Sequence, residues 1–215
     1  MYVPEPFAAP GPEAAMALIR EYPFGLLIAT LDGRPEAAHL PFHLATDEGP
    51  RGTLYCHVAR ANPIGRAAAA SDRVLCVFSG PHAYVSPDWY ATENLVPTWN
   101  YAAVHVYGAA RLLDDRAVAR LLERLSVQEE AAIPGKAPWT PATMAEGFYP
   151  KMRRAVTGLA IEIAEVQGKW KMSQNRDPAD VRGAAAALRA LGDEARIATA
   201  AVMAASLGEG EPREP

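Results

Sequence analysis

Asp32-Gly33 lies between two largely apolar runs, PFGLLIAT before it and EAAHLPFHL after it. A two-residue Asp-Gly connection suits the turn types that match strand twist, so these runs read as an antiparallel hairpin. That connection constrains the whole fold. Strands joined by tight turns build meanders and barrels, whereas parallel strands need a crossover after each strand. The rest of the first half keeps to the hairpin pattern. ATDEGPRG reads as a second turn, TLYCHVA as a third strand and NPIGRAAAA as a short helix started by proline. RVLCVFSG is a fourth strand, and TWNYAAVHVYGAARLL is a long, partly alternating one. A short helix, EAAMALIRE, precedes the hairpin and is entered through Pro12.

After Asp114 the period changes. DDRAVARLLERLSVQEEAA places Val118, Leu121, Leu122 and Leu125 at helical spacing behind an aspartate start. IPGKAPWTP reads as a loop, ATMAEGFYPKMRRA as broken helix and LAIEIAEV as a strand that Gly168 turns into KWKMSQ. From Asp177 the chain is alanine-rich and helical until GEGEPREP, read as a disordered tail. The order of helix, hairpin strands, helices and further strands gives the fold class α+β, an antiparallel barrel with helices packed outside. Neither GxGxxG after the first strand nor GxxxxGK[ST] anywhere points to a nucleotide-binding α/β sheet.

The chain has 215 residues, enough for one large domain or a domain with a small appendage. With 50% apolar and 21% charged residues, a core needs no metal or disulfide staple. The net charge of −4 argues against a broad basic surface for nucleic acid. Cys56 and Cys76 form no CxxC pair and read as reduced thiols. The N-terminus lacks the basic and apolar regions of a signal peptide, and no apolar run reaches the length of a membrane span. A cytoplasmic location is the expectation.

Three places carry candidate chemistry. In HVARANP, Arg60 sits just before the expected N-cap Asn62, with Pro63 at the first helical position. Free backbone N–H groups and a guanidinium there suit an anion. The same residues also read as a plain capped helix with a solvated arginine. In KWKMSQNRDPAD, Lys169 and Lys171 share a face if the segment is a strand, and Ser173, Gln174 and Asn175 follow as donors. The other reading is a strand leading into a helix capped by Asp177 with Pro178 in its first turn. The segment 80–108 holds two of the four tryptophans and four of the eight tyrosines, which is enough planar surface to stack a flat ligand or to form a dimer interface. Within it, Thr98, Trp99 and Asn100 add a hydroxyl and an amide for a heterocycle edge. His39 and His43 would share a strand face, and His57, His82 and His105 lie on other strands. No HExxH or H-x-H spacing supports a metal, and Ser79 and Ser86 lie in no G-x-S-x-G elbow.

The segments MYVPEPF, REYPFGLL, HLPF, HVARANP, FSGPHAYVSPDWY, VPTWNYAAVHVYG and KWKMSQNR, in this order, resemble the FMN-binding negative transcriptional regulators of the PaiB type. The resemblance runs from Met1 to about Gly183. It implies a split β-barrel like that of pyridoxamine-phosphate oxidases, flanked by helices, in a homodimer with FMN at the subunit interface. Carried over by motif, it points to His39, His57, Arg60 and Asn62 for the flavin phosphate, and to Thr98, Trp99, Asn100, Lys171, Ser173 and Gln174 near the ring or phosphate. The stretch after SPDWY is short here, ATENL, and the residues beyond Gly183 match poorly. The expected organisation is a split-barrel domain over 1–183, a helical extension over 184–207 and the tail over 208–215. AALRALGDEARIATAAVMAASL imitates a helix-turn-helix, but its second helix offers only Arg196 and Thr199 to DNA, so it reads as packing helix and direct DNA binding is not expected. The functional expectation is an FMN-binding split-barrel protein with two-electron redox chemistry if the cofactor turns over. Two other classes stand beside it: a flavin- or metabolite-sensing regulator without catalysis, and a split barrel that binds haem through a histidine.

Overall fold

Asp32 and Gly33 take φ of 50° and 76°, the two left-handed residues that a type I′ turn requires. They join β1 (Phe24–Leu31) to β2 (Arg34–Pro41), antiparallel, with Leu31 opposite Arg34. The computed structural model describes residues 1–208; from residue 209 on, the expected tail lies outside the described residues. The remaining strands are β3 (His43–Ala45), β4 (Thr53–Ala59), β5 (Val74–Val85), β6 (Thr98–Leu112) and β7 (Val156–Lys171). The helices are α1 (Pro12–Glu21), α2 (Ile64–Ala70), α3 (Asp115–Glu130), α4 (Phe148–Arg153), α5 (Pro178–Leu191) and α6 (Glu194–Ala205). Local chemistry sets several helix starts. Asp114 accepts the Ala117 N–H at 2.7 Å to cap α3, and Asp193 accepts the Arg196 N–H at 3.1 Å to cap α6.

The seven strands form one sheet in the order β2-β1-β5-β6-β7-β4-β3. β2 and β3 are its two ends, yet only Phe42 separates them in the chain. Consecutive Cα atoms lie about 3.8 Å apart, so the two ends of the sheet are drawn together, as a closed barrel requires. The break at Phe42 also corrects the reading of HLPFH as one strand. His39 and His43 sit on different strands, at opposite ends of the sheet order. Two further expectations change. β5 runs through Pro81 to Val85 instead of stopping near Gly80. Gly168 makes no turn, because β7 continues through it. What Gly168 provides is room: a Cβ there would lie 2.6 Å from the Ala9 Cβ, where the Ala9 N–H donates to the Gly168 carbonyl at 3.1 Å.

The chain divides into two compact units, and β5, β6 and β7 each pass from one to the other. Unit 1 comprises Met1–Leu18, Ser79–Val104 and the chain from Gln167. Its buried residues include Leu18, Val85, Val104, Met172, Val181, Leu188 and Met203. The expected boundary at residue 183 falls inside α5. Gly183 there packs against the Trp89 carbonyl, and Asp180, 2% exposed, accepts the Ala91 and Thr92 N–H groups at 2.8 Å each. Unit 2 comprises Ile19–Phe78 and His105–Val166. Its core includes Leu27, Leu54, Cys56, Leu121, Leu159 and Ile161, with Phe42 edge-on to Phe78 at 5.1 Å. α3 lies over β7 at Gly158, where a Cβ would meet Val118 and Leu113 at 2.9–3.0 Å.

Candidate functional site

In unit 1 the start of β6 and the end of β7 meet at a polar corner. Lys171 donates from Nζ to Thr98 Oγ1 and to the Trp99 carbonyl, the latter at 2.9 Å. Asn100 is fully buried. Its Nδ2 donates to Ser173 Oγ at 3.0 Å and lies 3.3 Å from Met203 Sδ. The Ser173 hydroxyl also lies 3.2 Å from Asn100 Oδ1 and 3.5 Å from the Tyr90 hydroxyl. These contacts hold Ser173 at φ +62°, a left-handed conformation that costs a non-glycine residue free energy and persists only when its surroundings fix it. Gln174 Oε1 accepts the Met172 N–H at 2.7 Å, and its Nε2 donates to the Trp170 carbonyl. Thus all six expected residues of this group come together, in two roles. Asn100, Ser173 and Gln174 form the frame of the corner, so Asn100 is not free for the heterocycle edge expected of it. Thr98, Lys171 and Trp99 reach its surface.

That surface is aromatic and cationic. Trp99 is 55% exposed and Tyr84 45%; the two rings meet edge to face at 6.1 Å, with His82 tilted beside Trp99 at 6.4 Å. Lys169 lies over Tyr2 at 5.6 Å and Tyr101 at 5.4 Å, and Arg176 over Tyr90 at 5.3 Å. Burial lowers the pKa of Lys171 below the ordinary lysine range, and the charges of Lys169 and Arg176 push it the same way. None of the three forms a salt bridge among the described residues, although Arg176 is near enough to Asp180 to help lower its pKa. Arg176, Tyr84 and Tyr2 were not singled out from the sequence. Arg176 closes the KWKMSQNR motif, which was the available signal.

The other expected flavin residues lie in unit 2. His39 is exposed on β2 and stacks on Phe24 at 6.4 Å. His57, on β4 opposite Gly158, is half-buried; its Nδ1 is buried without a hydrogen-bond partner, and burial lowers its pKa. The Arg60 guanidinium donates to the Arg154 and Val156 carbonyls, the latter at 3.2 Å, and its backbone N–H to the Ala155 carbonyl at 2.7 Å. It ties the end of β4 to the start of β7. α2 starts at Ile64, later than expected, and Asn62 Oδ1 accepts the Ile64 N–H at 3.0 Å. The expected anion turn is therefore largely occupied by its own chain. Among the described residues no group of three or more His, Cys, Asp or Glu is placed to hold a metal ion.

An antiparallel sheet with its ends drawn together defines a protein of the split-barrel class, and a corner of aromatic rings and cations suits a flat, anionic ligand. The chain matches the FMN-binding domain family model over residues 1–165. It is 34% identical over 184 residues to "Protease synthase and sporulation protein PAI 2" of Bacillus subtilis, covering 84% of this chain and 85% of that protein. An uncharacterized protein of Emericella nidulans is 32% identical over 216 residues, covering 83% and 86%. Among solved structures, the flavocytochrome Anf3 from Azotobacter vinelandii aligns with a TM-score of 0.54 at 18% identity, over 74% of this chain and 66% of that one. The FAD and haem binding protein from Mycobacterium smegmatis aligns with a TM-score of 0.55 at 19% identity, over 72% and 68%. These two likenesses concern the fold. The chain belongs to the FMN-binding split-barrel family of the PaiB type, and its cofactor is FMN.

Proposed function

We propose that FMN is held at the unit 1 corner, its phosphate on Lys171 with Lys169 and Arg176 in support and its ring against Trp99. The observation that carries this reading is Lys171, a half-buried ammonium fixed beside an exposed tryptophan and lacking a carboxylate. The donor set fits the group. Three cations suit a phosphate dianion, and a wide exposed indole suits a flat heterocycle. Bound there, FMN supplies two-electron redox chemistry; the chain binds it, orients its ring and keeps water from one face. The protein acts as a homodimer whose interface takes in exposed aromatics of the 80–108 segment, because soluble monomers rarely leave a large apolar patch uncovered. Its setting is the cytoplasm; no helix among the described residues is long and apolar enough to cross a membrane.

The Bacillus relative is named for protease synthesis and sporulation, and regulation comes to this chain through that likeness alone. We take it to be indirect, through a metabolite or a partner protein. In α6 the Arg196 guanidinium is paired with Asp193, and Thr199 is fully buried and donates to the Ala195 carbonyl at 2.7 Å. Neither side chain is presented for base reading. The test is the absorption spectrum of the purified protein, followed by titration with FMN and riboflavin and by sedimentation. Paired flavin bands, preference for FMN and a dimer are expected. A Soret band, or riboflavin bound as tightly as FMN, overturns the assignment.

A further inference from the structure

Unit 2 contains a cavity of about 300 Å³ that none of the proposed flavin residues lines. Its wall carries Arg111 from the end of β6, Asp114 at the start of α3, Arg120 and Arg124 further along α3, and Glu48 and Tyr55. The charges there are unevenly matched. Arg124 donates to Glu48 Oε1 at 3.0 Å, and the Tyr55 hydroxyl donates to Glu48 Oε2. The Tyr55 bond, helped by Arg124, lowers the Glu48 pKa and keeps the carboxylate ionised. Asp114 is committed to the cap of α3. Arg111 and Arg120 have neither a carboxylate nor a hydrogen-bond acceptor among the described residues. Arg120 and Arg124 stand four residues apart on one helix face, where like charges repel without a counter-ion. The positive end of the α3 dipole opens on the same wall. An adjoining cavity of about 350 Å³ shares Glu48, Tyr55 and Arg111, leaving room for the rest of a molecule.

We propose that this cavity binds a small molecule through a compact, doubly charged oxyanion group, a phosphate monoester or a pair of carboxylates. Arg111 and Arg120 grip the oxygens, and the Glu48–Tyr55–Arg124 set forms a fixed floor. A flavin ring is a poor occupant, since the one aromatic ring in the wall, Tyr55, already has Arg124 over it at 5.9 Å. The site does not depend on where FMN binds.

The experiment is calorimetric titration of the FMN-loaded protein with inorganic pyrophosphate and, separately, with malonate. Saturable single-site binding of at least one probe is expected; which probe binds more tightly separates the phosphate source from the carboxylate one. Binding should weaken when salt rises from about 50 mM to about 200 mM. Arg111→Ala combined with Arg120→Ala should lose about tenfold or more in affinity, the scale of a charged hydrogen bond, with FMN content unchanged. Arg120→Lys, which keeps the charge and loses the planar fork, should fall between the two. An unchanged thermal midpoint shows that the variants are folded, and Arg120→Glu repeats the test if the double variant is not. Three results overturn the proposal: no saturable binding of either probe, equal binding by wild type and variant, or loss of FMN from the variant, which would give these arginines to the flavin.

Discussion

Replacing Lys171 with methionine removes an ammonium and keeps most of its length. A phosphate oxygen about 4 Å from that ammonium is attracted by about 1 kcal/mol in bulk water and about 4 kcal/mol at the effective dielectric of a protein surface. A charged hydrogen bond nets about 1.5–3 kcal/mol. Lys171 is half-buried, so a value of about 2 kcal/mol is expected, roughly a 30-fold loss in FMN affinity. The lysine also bonds Thr98 and the Trp99 carbonyl, which steadies the indole. Loss of those bonds affects any flavin, by about 0.5–1.5 kcal/mol. Riboflavin has the ring and no phosphate, so the difference between the FMN and riboflavin losses isolates the phosphate term. Quenching of flavin fluorescence on titration measures both affinities in one buffer. A difference near 2 kcal/mol that shrinks with added salt is expected. Equal losses for the two ligands would refute the phosphate placement and leave Lys171 as a support for Trp99.

Arg60→Ala should lower stability by about 1–3 kcal/mol through two lost bonds to backbone carbonyls, read as a fall in thermal midpoint, while FMN and riboflavin affinities move together; a selective loss of FMN would return Arg60 to the phosphate. Gly108→Ala should destabilise by about 3 kcal/mol or more, because its Cβ would fall within the contact shell of the Glu162 carbonyl oxygen; a wild-type denaturation midpoint would contradict that packing. Burial lowers the pKa of both His57 and His105, so the unfolded chain takes up protons first as pH falls below about 6.5. Their contribution to stability is fully present above that value and lost as pH falls toward the folded-state pKa. A thermal midpoint that drops over that window, with a shallower drop in His57→Gln/His105→Gln, is the expected result, and an unchanged slope in the double variant counts against it.

The parts of the fold that sequence made legible were those with local causes. Asp32-Gly33 specifies its own turn, and Asp114 its own helix start, within a few residues. The parts that were misread depend on partners far away in the chain. Gly168 looked like a turn because glycine usually marks one, but Ala9 is what requires its missing side chain. The structural tie that Arg60 makes could not be read locally, because its acceptors, the Arg154 and Val156 carbonyls, lie 94 and 96 residues further on. The fourth strand was read only as far as Gly80, and the sheet carries it on through Pro81 to Val85. The Thr98–Asn100 and Lys171–Gln174 groups were legible through family resemblance, whereas their division into frame and surface needed the burial of Asn100 and Ser173. The arginine cavity had one sequence signal, the four-residue spacing of Arg120 and Arg124. Nothing local pointed to Glu48 and Tyr55 as its other wall.

Unit 1 is assembled from three stretches far apart in the chain, and that sets a schedule for the molecule at birth. The Tyr2 carbonyl waits for Lys169, 167 residues downstream, and Ala9 waits for Gly168. At about 5–20 residues per second of synthesis, the segment from Tyr2 to Ala9 waits roughly 10–30 s for these partners to be made. Ala15, buried in the finished protein and packed by Gly168, lacks that cover throughout the interval. Nascent chains stalled before Gln167 should therefore be good clients for holding chaperones. Removing the chain from Gln167 onward should leave unit 1 without Lys171, Ser173 and α5, and so without its corner.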